Sequence, residues 1–154
     1  MIRRRMALAC VGLLAGRVPV AAQRAVQVLV WRDPYCGCCS AWVAHLRSEG
    51  FAVEDQVVPA VGPMRQRLGT PIDLLSCHAG QVEGFVLEGH VPGAAIRRLL
   101  AERPAGVRGL AVPEMPIGSP GMEVPGRTPE TYDVIAFGDG PHRPFMRFTG
   151  GLPS

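Results

Sequence analysis

Three observations predict an α/β fold for this 154-residue chain. Residues 26–31 (Val-Gln-Val-Leu-Val-Trp) form a short apolar run rich in β-branched side chains and read as a central strand. Residues 40–49 carry Trp42, Val43 and Leu46 on one helical face, and Gly50 stands where a left-handed stop is expected. Residues 51–58 alternate in part and read as a second strand. Between the first strand and the helix lies Cys36-Gly37-Cys38-Cys39. It sits at the carboxyl end of a strand, the edge where open α/β sheets hold their ligands. A strand, a C-x-x-C and a helix in that order predict a single thioredoxin-like domain over residues 23–154, preceded by a signal peptide at 1–22.

Further elements follow the same signals. Residues 64–68 predict a short helix closed by Gly69 and Pro71. The segment 74–78, Leu-Leu-Ser-Cys-His, fits no element by pattern. Residues 82–87 predict a short strand, and Pro92 opens a helix whose apolar stripe is Ala95, Ile96, Leu99 and Leu100, ending by Pro104. Residues 110–112 are a brief apolar run, and 113–129 are a Gly/Pro-rich loop. Residues 132–137 and 144–148 predict paired strands around Gly138-Asp139-Gly140. Thioredoxin-like domains place a cis-proline opposite their thiols, and Pro71 and Pro113 are the candidates.

The amino terminus predicts export. Arg3, Arg4 and Arg5 make a basic start, residues 6–15 a short apolar core, and Val20-Ala21-Ala22 a small-residue cleavage site. The apolar run is too short to span a bilayer. It leaves no integral membrane segment in the mature chain and a periplasmic location. Cys10 within it follows Ala7-Leu8-Ala9, a poor lipidation match. The segment holds four of the 16 basic residues and none of the 13 acidic ones, so residues 23–154 carry 12 − 13 = −1. Nothing in this balance suggests a nucleic-acid footprint. The sequence also has no nucleophile elbow, phosphate loop, dinucleotide fingerprint or H-E-x-x-H.

Chemistry concentrates in sulfur. Three of five cysteines fall within four residues, and export carries Cys36, Cys38, Cys39 and Cys77 into an oxidising compartment. Three uses compete. Crowded thiolates are soft and suit Cu(I), with bridging over more than one ion. Zinc fits less well, since zinc motifs supply separated ligand pairs. Cys36 and Cys39 alone would make a thiol–disulfide oxidoreductase, in which Cys38 has no task. Purely structural pairing would join Cys36 to Cys39 and Cys38 to Cys77, because adjacent cysteines pair poorly.

Cys77 is the natural fourth thiolate; adjacent side chains rarely converge on one ion, so His78 beside it reads as a ligand to a second metal or as facing water. Met115 and Met122 flank one stiff Gly/Pro loop and offer thioethers as secondary copper ligands. The remaining histidines favour plainer roles. His45 lies six helical residues past Cys39, about 9 Å along the axis, and reads as a polar edge beside Trp42. His90 reads first as loop packing or capping, and His142 as solvated.

Several of these motifs together resemble the exported CopG-like copper-resistance proteins. They are Cys36-Gly37-Cys38-Cys39 with Trp42 and His45, Ser76-Cys77-His78, Glu88-Gly89-His90-Val91-Pro92, Gly109-Leu110-Ala111-Val112-Pro113 and Met115-Pro116-Ile117-Gly118-Ser119-Pro120-Gly121-Met122-Glu123. The likeness spans residues 26–148. It implies a thioredoxin-like fold, Cu(I) on the cysteine loop and copper redox chemistry. The partners it implies are copper ions and the copper-efflux or thiol-redox proteins of the envelope. Two positions depart from the pattern: Glu114 stands where glycine is expected, and Ala79 where threonine is expected.

Overall fold

The structure is a computed structural model describing residues 24–154. The signal-peptide reading of residues 1–22 lies outside the described residues. The chain opens with β1 (Gln27–Arg32), α1 (Gly37–Ser48), β2 (Ala52–Val57) and α2 (Gly62–Leu68). After a 3-10 turn at Ile72–Leu74 come β3 (Ala79–Val82), β4 (Phe85–Glu88) and α3 (Gly93–Glu102). β5 (Val107–Ala111), β6 (Thr131–Gly138), β7 (Arg143–Thr149) and the two-residue β8 (Leu152–Pro153) complete it. All eight strands form one sheet in the order β2-β1-β3-β4-β5-β6-β7-β8. β1 runs parallel to β2, and β4 parallel to β5; the other neighbours are antiparallel. Each parallel pair is joined across a helix, α1 for the first and α3 for the second, as parallel pairing requires.

Alternation along the strands sorts side chains to two faces. Val28 and Val30 of β1, Leu87, Leu110, Val134 and Phe148 pack against α1 and α3. α1 buries Cys39, Trp42, Val43 and Leu46, an i, i+3, i+4, i+7 stripe. α3 buries Ala95, Ile96 and Leu99. Each such aliphatic side chain stabilises by about 1.5–3 kcal/mol on burial, so this face carries the main core. The opposite face holds a smaller cluster, Val86, Ala111 and Phe137 under Leu74, with Leu68 of α2 beside them. Among the described residues no helix is long and apolar enough to cross a membrane.

Several boundaries differ from the sequence reading. α1 begins at Gly37, three residues before the expected start, so Cys38 and Cys39 lie in its first turn and Cys36 is its N-cap. No side chain caps this start, so no capping signal marked it. The single strand expected at 82–87 is a hairpin, β3–β4, turning at Glu83-Gly84 with both residues at positive φ. That geometry suits a type I′ turn, but glutamate is a poor sequence marker for it. The candidate cis-prolines are not cis: no cis peptide bond occurs among the described residues. The place opposite the thiols is taken instead by Cys77, two residues before β3.

Candidate metal centre

The site is assembled from three segments at one end of the neighbouring strands β1, β3 and β4. The first turn of α1 supplies Cys36, Cys38 and Cys39. Cys36 and Cys39 are joined as a disulfide, while Cys38 and Cys77 are free thiols. Cys38 Sγ is 3.5 Å from Cys36 Sγ and 4.0 Å from Cys77 Sγ. Sulfurs sharing one tetrahedral ion at about 2.3 Å stand about 3.7 Å apart, so these spacings fit metal sharing once the Cys36–Cys39 pair is reduced. All four sulfurs lie within 4.8 Å of one another. The helix N-terminus adds partial positive charge that favours thiolate.

Two imidazoles stand behind Cys77. Its Sγ is 3.2 Å from His78 Nδ1 and 3.0 Å from His90 Nε2, and these three residues form a second possible ligand group. His90 Nδ1–H donates to Pro120 O at 2.8 Å, which leaves the Nε2 lone pair facing the sulfur. His78 is fully buried, its ring tilted against Trp42 with centroids 4.3 Å apart and edge-on to His90. Its Nε2 is a buried polar atom without a partner. The ring meets the Cys77 sulfur through Nδ1, so the unpaired Nε2 is a cost to stability and not the atom that faces the sulfur.

Electrostatics set the protonation states. Burial pushes the Cys77 thiol up to about 12, and the neighbouring Cys38 adds to that. A bound cation reverses this, because a coordinating thiol is deprotonated outright. Burial holds His78 well below the ordinary imidazole value, and any protonation of His90 acts in the same direction. Burial also lowers His90. Both rings are therefore neutral near pH 7, the form that ligates metal.

Local packing explains why these segments meet. The Gly/Pro loop runs across the top of α1. A Cβ on Gly121 would sit 2.7 Å from both Cys38 O and Trp42 N, so only glycine lets the loop lie on the helix. Trp42 Nε1–H donates to Val91 O at 2.9 Å and fixes α1 to the β4–α3 connection. A Cβ on Gly89 would meet Ser76 Cβ and Val112 O at 2.6 Å, so glycine there lets the Cys77 segment close in.

The cysteines and His78 named from sequence thus converge. Adjacent Cys77 and His78, expected to diverge, do not. Met122 is half-buried one residue beyond Gly121, while Met115 is exposed. His45 is away from the sulfurs and accepts the Gly93 N–H of α3 at 3.3 Å. His142 is exposed and 3.2 Å from Asp73. Sequence reasoning set His90 aside. Extending the β3–β4 register by two residues beyond the Ala79–Glu88 pair places Cys77 opposite it. Glu88 was also missed: it is fully buried, bound by Arg65 and by the Ser76 N–H. Burial raises its carboxyl above the ordinary range, and these donors oppose that.

The fold and site define a mixed α/β domain carrying a sulfur-rich cluster able to hold a metal. Residues 74–122 match a family model described as a protein of unknown function, DUF411. Two solved structures match most of the chain, both described as copper resistance protein copG. Form 2 is 39% identical with a TM-score of 0.75, covering 81% of this chain and 99% of its own. Form 1 gives 39% and 0.75 as well, covering 82% and 100%. The chain belongs to this CopG copper-resistance family. No curated protein matches it.

Proposed function

We propose that this chain is an exported, periplasmic protein of copper resistance that binds Cu(I). The observation that carries the reading is the convergence of four sulfurs within 4.8 Å, backed by two buried neutral imidazoles. Thiolate is a soft ligand suited to Cu(I), and imidazole is compatible with copper. Cys36, Cys38, Cys39 and Cys77 would bridge more than one ion, with His78 and His90 completing coordination. Met115 and Met122 would act at the rim. Likeness to solved copper resistance proteins supports the choice of copper, and the basic, apolar start at residues 1–22 supports export. The β1-α1-β2-α2-β3-β4-α3 path, with strands ordered β2-β1-β3-β4, supports a thioredoxin-like core.

Competition of the reduced protein against a Cu(I) chelator tests this. Tight Cu(I) binding is expected, with Zn(II) bound far more weakly. Weak copper binding beside firm one-to-one zinc binding would overturn it.

A second reading has its own observation: Cys36 and Cys39 are joined, as in the resting form of a thiol–disulfide oxidoreductase. Cys38→Ser separates the two. An oxidoreductase keeps dithiol exchange, because it needs only Cys36 and Cys39. A copper cluster loses bound ions, because a hydroxyl replaces thiolate poorly toward Cu(I). Unchanged copper stoichiometry in this variant would sink the cluster.

A further inference from the structure

Cys77 is distant in sequence from the other three cysteines, so something must hold its segment to α1 before any metal arrives. Ser76 is fixed at three polar groups. Its backbone N–H donates to Glu88 Oε1 at 2.8 Å. Its carbonyl accepts from Arg65 Nη2. Its hydroxyl donates to Glu114 O. On the other side of Cys77, His78 O accepts the Gly89 N–H at 2.9 Å. Cys77 is therefore held between two anchored residues, its sulfur set between Cys38 and His90.

Two of the three anchors on Ser76, those on its backbone, come from one ion pair. Arg65 of α2 reaches Glu88, the last residue of β4, through Nε at 3.1 Å to both oxygens and through Nη2 at 2.8 Å. Glu88 is fully buried, and the Arg65 side chain is 17% exposed. A buried ion pair is a poor source of stability, because an apolar pair of similar volume does as well. Its geometry has a different use. The guanidinium fork and the carboxylate together engage the donor and the acceptor of a single peptide residue, which neither aliphatic packing nor a lysine ammonium can reproduce.

We propose that Arg65 and Glu88 are positioning residues that preset Cys77 for metal binding. They act through Ser76 and touch no ligand atom. The inference rests on the reading of Cys77 as a metal ligand, and it concerns how that ligand is placed.

Two variants test it: Arg65→Lys, and the double variant Arg65→Met/Glu88→Leu, which removes both charges together. The first readout needs no metal. In a Cys36→Ser/Cys39→Ser background, diamide oxidises Cys38 and Cys77 to a disulfide, and peptide mapping follows the rate. Loss of preset geometry should slow this closure about tenfold. The second readout is chelator competition, where Cu(I) affinity should fall about tenfold or more, as for other groups that orient metal ligands. The double variant also leaves the Ser76 N–H and carbonyl unpaired, so its copper-free melting temperature should fall by a few degrees while the domain stays folded at assay temperature. If the double variant folds, cross-links and binds Cu(I) like the parent, the pair is structural only and the proposal fails. Should the parent take up no Cu(I), the functional reading falls, while the cross-linking rate still decides the clamp.

Discussion

Glu114 shows how one residue type can work against its own backbone. Its φ is 62°, in the left-handed region, which costs a side-chain-bearing residue about 1–2 kcal/mol. The family resemblance places glycine at this position, and the structure supplies the reason: the backbone keeps the turn, and glutamate bears the strain. The Ser76 hydroxyl bound to its carbonyl helps hold it there. Glycine would relieve the strain but add about 0.5–1 kcal/mol of chain entropy to be lost on folding. Glu114→Gly should therefore stabilise the copper-free protein by about 0.5–1 kcal/mol, read from urea denaturation. A destabilised variant would mean that the glutamate side chain makes a contribution larger than the strain. Copper affinity should hardly change, since Ser76 still donates to the same carbonyl.

At the scale of elements, the joint between α1 and α3 depends on His45. Its Nε2 accepts the first N–H of α3, a group with no partner inside the helix. Burial lowers its pKa, Arg97 acts in the same direction, and Glu49 and Glu123 oppose them. Above the unfolded imidazole value of about 6.5, both states are neutral and this contribution is complete. As pH falls below that value the unfolded state binds the proton first, so stability drops until the folded pKa is passed. His45→Gln should flatten that part of the pH dependence between pH 7.5 and pH 5 in the copper-free protein. An unchanged slope would assign the dependence to His78 and His90 alone. The elements themselves were legible wherever their signal is local: β1, β2, α3, β6 and β7 follow apolar periodicity within a few residues. The β3–β4 hairpin was not, because Glu83-Gly84 is weak turn chemistry and Gly80 interrupts the strand pattern. The same gap hid half of the site. Cysteine crowding is visible in one dimension, but His90 meets Cys77 only through strand register. Glu88 meets Arg65 only because α2 lies against the hairpin's end. Buried polar partners of this kind leave no periodic trace.

For the whole molecule, the site links parts of the chain that the core does not tie together directly. α1 packs on the main core, while the Cys77 segment follows a 3-10 turn whose Leu74 belongs to the smaller cluster on the opposite face. A metal held by both would join the two faces at the ends of β1, β3 and β4. Metal that binds only the folded chain adds its binding free energy to stability, about 4 kcal/mol at a thousandfold excess over the dissociation constant. For a domain of this size that corresponds to a rise of roughly 10–20 °C in melting temperature. The reduced parent protein should show a rise of this order on adding Cu(I) anaerobically. Cys77→Ala should change the copper-free melting temperature little, because Cys77 is only half-buried, yet remove more than half of the copper-dependent rise. Cys38→Ala should behave alike, since its sulfur faces Cys77 across 4.0 Å. A Cys77→Ala protein that keeps the full rise would confine copper to the first turn of α1 and leave Cys77, His78 and His90 as a separate, weaker site.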